Sequence, residues 1–355
     1  MLQYLTYSLP FNKPFVTQDK EFTHREGIIL VYKEGNIIAY GEAAPLPGFS
    51  EESLNDVRTV LTTNHKHLEK EIRSGDGKDT LRLLTQIHRF PSLSFALDTL
   101  LHDLDAKRAG KTLSRQLFNN EKGTIACNYT LSIMDKELAL LSAKSAYELG
   151  FSTIKVKTGS DFEQEYSIIQ EIRDRYPDIK IRIDANSSWS VKEAKENLNA
   201  LKSENIEYCE QPIAKGNLEG MAEIRNSVNI PIAADEDVRS KNDAIRIIGE
   251  KAADILIIKP MLFGTFRDIN VTKQLADTHN IELVFTTSLE SVVGTTTTAI
   301  LAHGLGSKKY AHGLATGLLF EHDITSTDFL KQGKFHLNDK TGTGVPIDIK
   351  SLDKM

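Results

Sequence analysis

The 355-residue chain holds only two cysteines, Cys127 and Cys209, and a single tryptophan. Two thiols cannot build a disulfide framework, and these two lack any metal-type spacing. No apolar run approaches the roughly 20 residues of a membrane span. The opening MLQYLTYSLPFNKPF has neither the basic start nor the apolar centre of a signal peptide. An excess of positive charge is missing as well. The net charge is -6 and the isoelectric point about 6.0, which argues against a protein that coats nucleic acid or an anionic membrane. These absences predict a soluble, cytoplasmic protein whose partner is a small molecule. A homo-oligomer remains compatible with the composition. With 40% hydrophobic and 26% charged residues the chain is ordinary for a globular protein, and its length calls for two domains or one large barrel.

The pattern changes near residue 120. Before it, "GIILVYKEG" (27–35) and "NIIAYGEAA" (36–44) read as two strands joined by a turn at Glu34-Gly35-Asn36. Residues 51–73 are charged and periodic, and "PSLSFALDTLLHDLDAKRAGK" (91–111) reads as a helix ending at Gly110. Residues 1–120 thus form an α+β capping domain. From Thr124 onward strands alternate with amphipathic segments. The strand candidates are 124–131, 153–157, 179–185, 206–210, 230–236, 253–259, 281–287 and 309–314. Eight such units over 121–320 predict a parallel (β/α) barrel of the TIM-like, (β/α)7β kind. A doubly wound sheet is the rival, but no glycine-rich phosphate loop follows the first strand. The polar tail, 321–355, is expected to return and complete the capping domain.

Chemistry in such barrels sits at the C-terminal ends of the strands. Those ends carry Lys155 and Lys157, Asp184 and Asn186, Glu210, Asp235 and Glu236, and Lys259 in turn. A single strand-end acid is more often a helix cap, a lone Lys in "IIKP" can snorkel to solvent, and two lysines can mark an edge strand. Five consecutive strands ending in this charge order resist those explanations. Three carboxylates converging from adjacent strands would repel each other unless a cation sits among them. Oxygen donors without His or Cys select Mg²⁺, or Mn²⁺, over zinc. Strands two and six lie opposite each other in an eight-stranded ring, so Lys157 and Lys259 would approach a metal-bound carboxylate substrate from two faces. Lys155 shares a strand face with Lys157, and its charge is expected to lower the pKa of Lys157 and make it a base.

The motifs "KVK" (155–157), "DANSSW" (184–189), "CEQP" (209–212), "ADED" (234–237) and "IIKP" (257–260) resemble the enolase superfamily, in its muconate-lactonizing-enzyme-like branch. The resemblance implies a divalent metal, usually Mg²⁺, and removal of a proton α to a carboxylate. By motif position it makes Asp184, Glu210 and Asp235 the metal ligands and Lys157 and Lys259 the lysine pair. Asn186 and Glu236 would orient these groups.

The reaction is a separate question. "APLPGFSEESL" (44–54), "TTSLESVVG" (286–294) and "HGLATGLLFEHDI" (312–324) resemble segments of o-succinylbenzoate synthases. That implies a dehydratase (carbon–oxygen lyase) of menaquinone biosynthesis, removing water from 2-succinyl-6-hydroxy-2,4-cyclohexadiene-1-carboxylate. Dipeptide epimerases of the same branch carry a D-x-D pair at the last strand end to hold the substrate's ammonium, and "GLATGLL" has no acid there. The synthase is therefore the expectation, with a dipeptide epimerase or N-acylamino acid racemase as alternative and a non-catalytic binding barrel as the remote one. Thr287, Ser288, Glu290 and Gly313, with Phe49 in the cap loop, are candidate substrate contacts. The stretch 12–26 carries no readable motif.

Overall fold

The computed structural model describes residues 1–16, 21–74, 89–120, 122–132, 135–159, 161–349 and 352–355. Residues 17–20, within the unreadable stretch 12–26, lie outside the described residues.

The N-terminal region is an antiparallel sheet of β1 (Leu2–Val16), β2 (Glu21–Glu34) and β3 (Ile37–Ala43), with the order β1-β2-β3. Gly35, with φ +56°, makes the expected turn between β2 and β3. The apolar run of β2 is explained by burial on both faces. Ile28, Leu30 and Tyr32 pack on the helices Leu54–Ser74 and Pro91–Arg108, whereas Ile29 and Val31 belong to the core shared with the barrel. Gly41 is required where β3 meets the second of those helices, because a Cβ there would lie 1.9 Å from the Ala96 carbonyl oxygen. Strand β1 went unread in the sequence. Its prolines, Pro10 and Pro14, look like breakers, but the ladder with β2 shifts register between Pro10 and Phe15 and so accommodates them.

The second region is a parallel sheet curled into a barrel. Its strands are β5 (Asn128–Leu131), β6 (Thr153–Lys157), β7 (Lys180–Asp184), β8 (Ile206–Glu210), β9 (Ile232–Ala234), β10 (Ile255–Ile258) and β11 (Glu282–Phe285), in consecutive order. The eighth unit is shorter than expected. Only His312 and Gly313 bridge the seam, His312 to Cys127 and Gly313 to Thr286. The Gly313 N–H donates to the Phe285 carbonyl (2.9 Å) and the Asn128 N–H to the His312 carbonyl (3.0 Å). The first candidate strand also divides. Its beginning, β4 (Thr124–Ala126), runs antiparallel to Lys334–His336 of the tail, and only β5 joins the barrel. The tail therefore splits its pairing, since Asp353–Lys354 runs along β1. Among the described residues no helix is long and apolar enough to cross a membrane.

The seam holds a histidine in one tautomer. His312 accepts the Phe285 N–H at Nδ1 (3.0 Å), so its Nε2–H donates to the Ser307 carbonyl (3.1 Å). Burial, aided by the charge of Arg182, pushes its pKa down to about 3. The unfolded chain protonates this imidazole below about 6.5 while the folded one does not, so folding stability falls as pH drops from about 6.5 toward 3. The expected loss at pH 5 is about 2 kcal/mol from this group. Urea unfolding of the wild type and His312→Gln at pH 7.5 and 5 measures it, and an equal pH dependence in both would contradict the assignment.

Candidate active site

Parallel register brings the motif residues to one level. Lys157 stands opposite Asp184, and Asp184 opposite Glu210, while Glu210 pairs with Ala233 two residues before Asp235. Lys259 follows β10 directly. Asp184, Glu210 and Asp235 are all buried, so each charge must be answered locally.

Lysines answer them. The Lys155 ammonium donates to Asp184 Oδ2 and to Glu210 Oε1, both at 2.9 Å. Lys259 donates to Asp235 Oδ1 at 2.6 Å. Burial alone would discharge Lys155, but the Asp184 and Glu210 carboxylates outweigh it and hold its pKa well above the ordinary value. Glu210 moves the other way. Burial raises its pKa, and Asp184 and Asp235 add to the rise against the pull of Lys155. Burial would raise Asp235 too, but Lys259, with Arg239 and Lys155, keeps it below the usual carboxylate range.

Lys157 is placed differently from its neighbour. It donates to Asn186 Oδ1 (2.9 Å), and Asn186 Nδ2 donates to Glu236 Oε1 (3.3 Å). Burial, followed by the Asp235 charge, raises Glu236 to about 7. Lys155, expected as the charged neighbour of Lys157, also bridges two carboxylates, which the sequence did not show. Of the three strand-end lysines, Lys157 and Lys259 meet one side-chain partner each, Asn186 and Asp235.

Of the twelve buried side-chain atoms without a hydrogen-bond partner among the described residues, five lie at the same end of the barrel. Thr158 Oγ1, Ser187 Oγ, Glu236 Oε2, Arg239 Nη1 and Ser288 Oγ have no hydrogen-bond partner, and all five residues follow strand ends. At the strand ends, beside the carboxylate row, such atoms are free to bond a ligand. Thr158, Ser187 and Arg239 were not singled out in the sequence. Their position just past a strand end was the available signal.

The weaker sequence candidates divide. Thr287 Oγ1 bonds the Gly313 carbonyl (3.1 Å) and Thr316 Oγ1 (2.6 Å) at the strand-end face. At Gly313 a Cβ would lie 2.1 Å from Thr286 Oγ1, so packing excludes any side chain there. Phe49 is half-buried in the turn after Leu46. Glu290 is fully buried and its carboxylate is held by protein groups. It accepts from the Ser288 N–H and from Thr298 Oγ1 (3.2 Å), and burial followed by the Glu42 charge raises it to about 7.

Among the described residues no three His, Cys, Asp or Glu side chains already form a metal cluster. The donor chemistry nonetheless suits a hard divalent cation. Asp184, Glu210 and Asp235 supply carboxylate oxygens from three neighbouring strands, and Glu236 Oε2 beside them is unpartnered. Removing the Lys155 charge tests how far the array depends on it. Lys155→Met should cost about 3–5 kcal/mol of stability, as expected for a broken buried ion pair. Addition of Mg²⁺ should restore part of the loss in a thermal melt. A loss below about 1 kcal/mol would show that the carboxylates do not need that ammonium.

With this geometry established, comparison with known proteins is informative. Residues 139–351, more than half of the chain, match the family described as enolase C-terminal domain-like. Residues 1–104 match the MenC N-terminal domain. The L-Ala-D/L-Glu epimerase of Francisella tularensis subsp. novicida is 29% identical over 83% of this chain and 84% of its own. The D-Ala-D/L-Ala epimerase of Cytophaga hutchinsonii is 30% identical over 88% of this chain and 85% of its own. A solved Cytophaga hutchinsonii dipeptide epimerase, complexed with Mg and the dipeptide D-Ala-L-Val, superposes with a TM-score of 0.86. It is 27% identical and covers 100% of this chain and 98% of its own.

These relatives overturn the expected reaction. The likeness to o-succinylbenzoate synthases is retained in the capping region, where the MenC match includes the loop 44–54. That region contributes none of the lysines or carboxylates described above. The two epimerases named above span both regions, and they contradict the expected carbon–oxygen lyase, its cyclohexadiene substrate and its place in menaquinone biosynthesis. The acid-free last strand was weighed too heavily. Gly313 is kept small by Thr286, a packing constraint that says nothing about the chemistry between the lysines. The chain belongs to the enolase superfamily and is an enzyme of that family.

Proposed function

We propose that this enzyme epimerises dipeptides at the α-carbon next to the terminal carboxylate, by moving a proton from one face to the other. The observation that carries the reading is the placement of Lys157 and Lys259. They end the second and sixth barrel strands on either side of the Asp184, Glu210 and Asp235 row. The likeness of the chain to epimerases over 83% and 88% of its length supports it.

Asp184, Glu210 and Asp235 would hold the divalent cation, Mg²⁺ by likeness to the dipeptide epimerase that binds it. When bound, the cation supplies positive charge to the substrate carboxylate and lowers the cost of ionising the α C–H bond. The chain's own groups do the remainder. One lysine Nζ, unprotonated, takes the α-proton as the C–H bond breaks. The other, protonated, delivers its proton to the opposite face, and the two lysines end with exchanged protonation states that solvent resets. Asn186 orients the Lys157 Nζ through its 2.9 Å hydrogen bond. Lys155 stays charged against Asp184 and Glu210.

One observation favours a second reading. No acid occurs from His312 to Phe320, so a substrate amino group finds no carboxylate on that segment. Racemisation of N-acylated amino acids follows from the same two lysines with a neutral nitrogen. Incubation in D₂O with L,L and L,D dipeptides, and with N-acetyl amino acids, separates the two by proton NMR of the α-hydrogen. Exchange on dipeptides, lost with EDTA and restored by Mg²⁺, is expected. Lys157→Ala and Lys259→Ala should each slow exchange by about 10²–10⁴-fold, each for one configuration of the α-carbon first. Unchanged exchange in either variant would remove that lysine from the mechanism.

A further inference from the structure

Gln211 bonds all three carboxylate-bearing segments at the strand-end face. It follows Glu210 directly at the end of β8 and is fully buried. Its backbone N–H donates to the Ala233 carbonyl on β9 (2.8 Å), and its own carbonyl accepts the Ser187 N–H from the segment after β7 (2.8 Å). The side chain extends the link. Gln211 Oε1 accepts the backbone N–H of Asp235 (3.0 Å), while Nε2 donates to the Ile213 carbonyl (3.1 Å) and to Asp237 Oδ2 (2.8 Å). These bonds are made from a φ of +36°, a left-handed backbone that a residue with a side chain adopts at a cost.

Asp237 decides which way the Gln211 amide faces. A carboxylate only accepts hydrogen bonds, so it takes the NH₂ end of the amide and leaves the oxygen end to the Asp235 N–H. Asp237 is buried, and its Oδ1 accepts the Gly216 N–H (2.7 Å) from the loop after β8, so it is itself held from two sides. A neutral amide at position 237 has one acceptor for these two donors. Either the Gly216 N–H would lose its partner, or the Gln211 amide would turn over and set its NH₂ against the Asp235 N–H.

We infer that Gln211, oriented by Asp237, is a positioning residue that holds Asp184, Glu210 and Asp235 in the relative placement a small, hard cation requires. The inference rests on the reading of those three carboxylates as its ligands and adds two residues that act through them. Mg²⁺ demands near-ideal octahedral geometry whereas Ca²⁺ accepts a flexible one, so loosening this link penalises Mg²⁺ more. Groups that orient metal ligands are worth about 10–100-fold in metal affinity.

The test is calorimetric titration of the full chain with Mg²⁺ and with Ca²⁺, beside thermal melts of the metal-free protein. Asp237→Asn, which keeps the shape of the side chain, should weaken Mg²⁺ binding by about tenfold and Ca²⁺ binding by less. Asp237→Ser, a shorter hydroxyl that does not span the two donors, should do the same and takes its place if Asp237→Asn folds poorly. The double variant Gln211→Glu/Asp237→Asn reverses the polarity of the bond. Its new carboxylate accepts from both the Asp235 N–H and the amide at position 237, so most of the lost Mg²⁺ affinity should return. Asp235→Asn is the control for the ligand reading and should lose Mg²⁺ binding. Wild-type Mg²⁺ affinity in both Asp237 variants, with Asp235→Asn deficient, overturns the inference and leaves the ligand reading standing. Equal losses for the two cations with a lowered melting temperature also overturn it, because they show support of the fold alone. Undiminished Mg²⁺ binding by Asp235→Asn, or none by the wild type, overturns the ligand reading and the inference with it.

Discussion

Carboxylates packed side by side in a low-dielectric interior repel each other strongly unless positive charge is threaded among them. Here the threading is done by the lysines at the ends of β6 and β10. Lys155 bridges Asp184 and Glu210, and Lys259 closes on Asp235. The barrel geometry makes this arrangement possible, because parallel register sets successive strand ends at one height. Removing one sign of charge would leave the other buried and unanswered. The array is therefore stable only as a whole, and it keeps unpartnered oxygen atoms and a guanidinium nitrogen ready at its margin.

A second charge cluster joins cap to barrel. Glu42 on β3 accepts from Tyr7, from the Ser291 N–H and hydroxyl, and from the Gly294 N–H, which caps the helix Val292–Leu305 from outside the barrel. Arg25 ties β2 to the segment after β11 through backbone carbonyls. These contacts couple the cap loops to the strand ends.

The division of labour explains why a cap resemblance misleads about the reaction. The loop 44–54 and the surrounding cap are similar to a MenC N-terminal domain, yet the strand-end lysines and carboxylates all come from the barrel. Relatives matched along both regions are the better guide to chemistry, and the two named above are epimerases.

Much was legible in the chain alone. The repeat of roughly 25 residues between charged strand ends exposed the barrel and the array together, because a parallel barrel converts equal spacing in sequence into equal height in space. The hairpin at Gly35 and the helix stopping before Gly110 were readable because local backbone demands set them. Strand β1 was not, since its prolines leave no alternating pattern, and the eighth unit, legible at 309–314, is cut to a two-residue bridge. Nor could sequence show that Lys155 and Lys157, two residues apart on one strand face, part company, one to the carboxylates and one to Asn186. The identity of the charged groups was determined by sequence. Their pairing and the linkage of three strand ends through Gln211 were decided by tertiary structure, because each depends on distances between segments far apart in the chain.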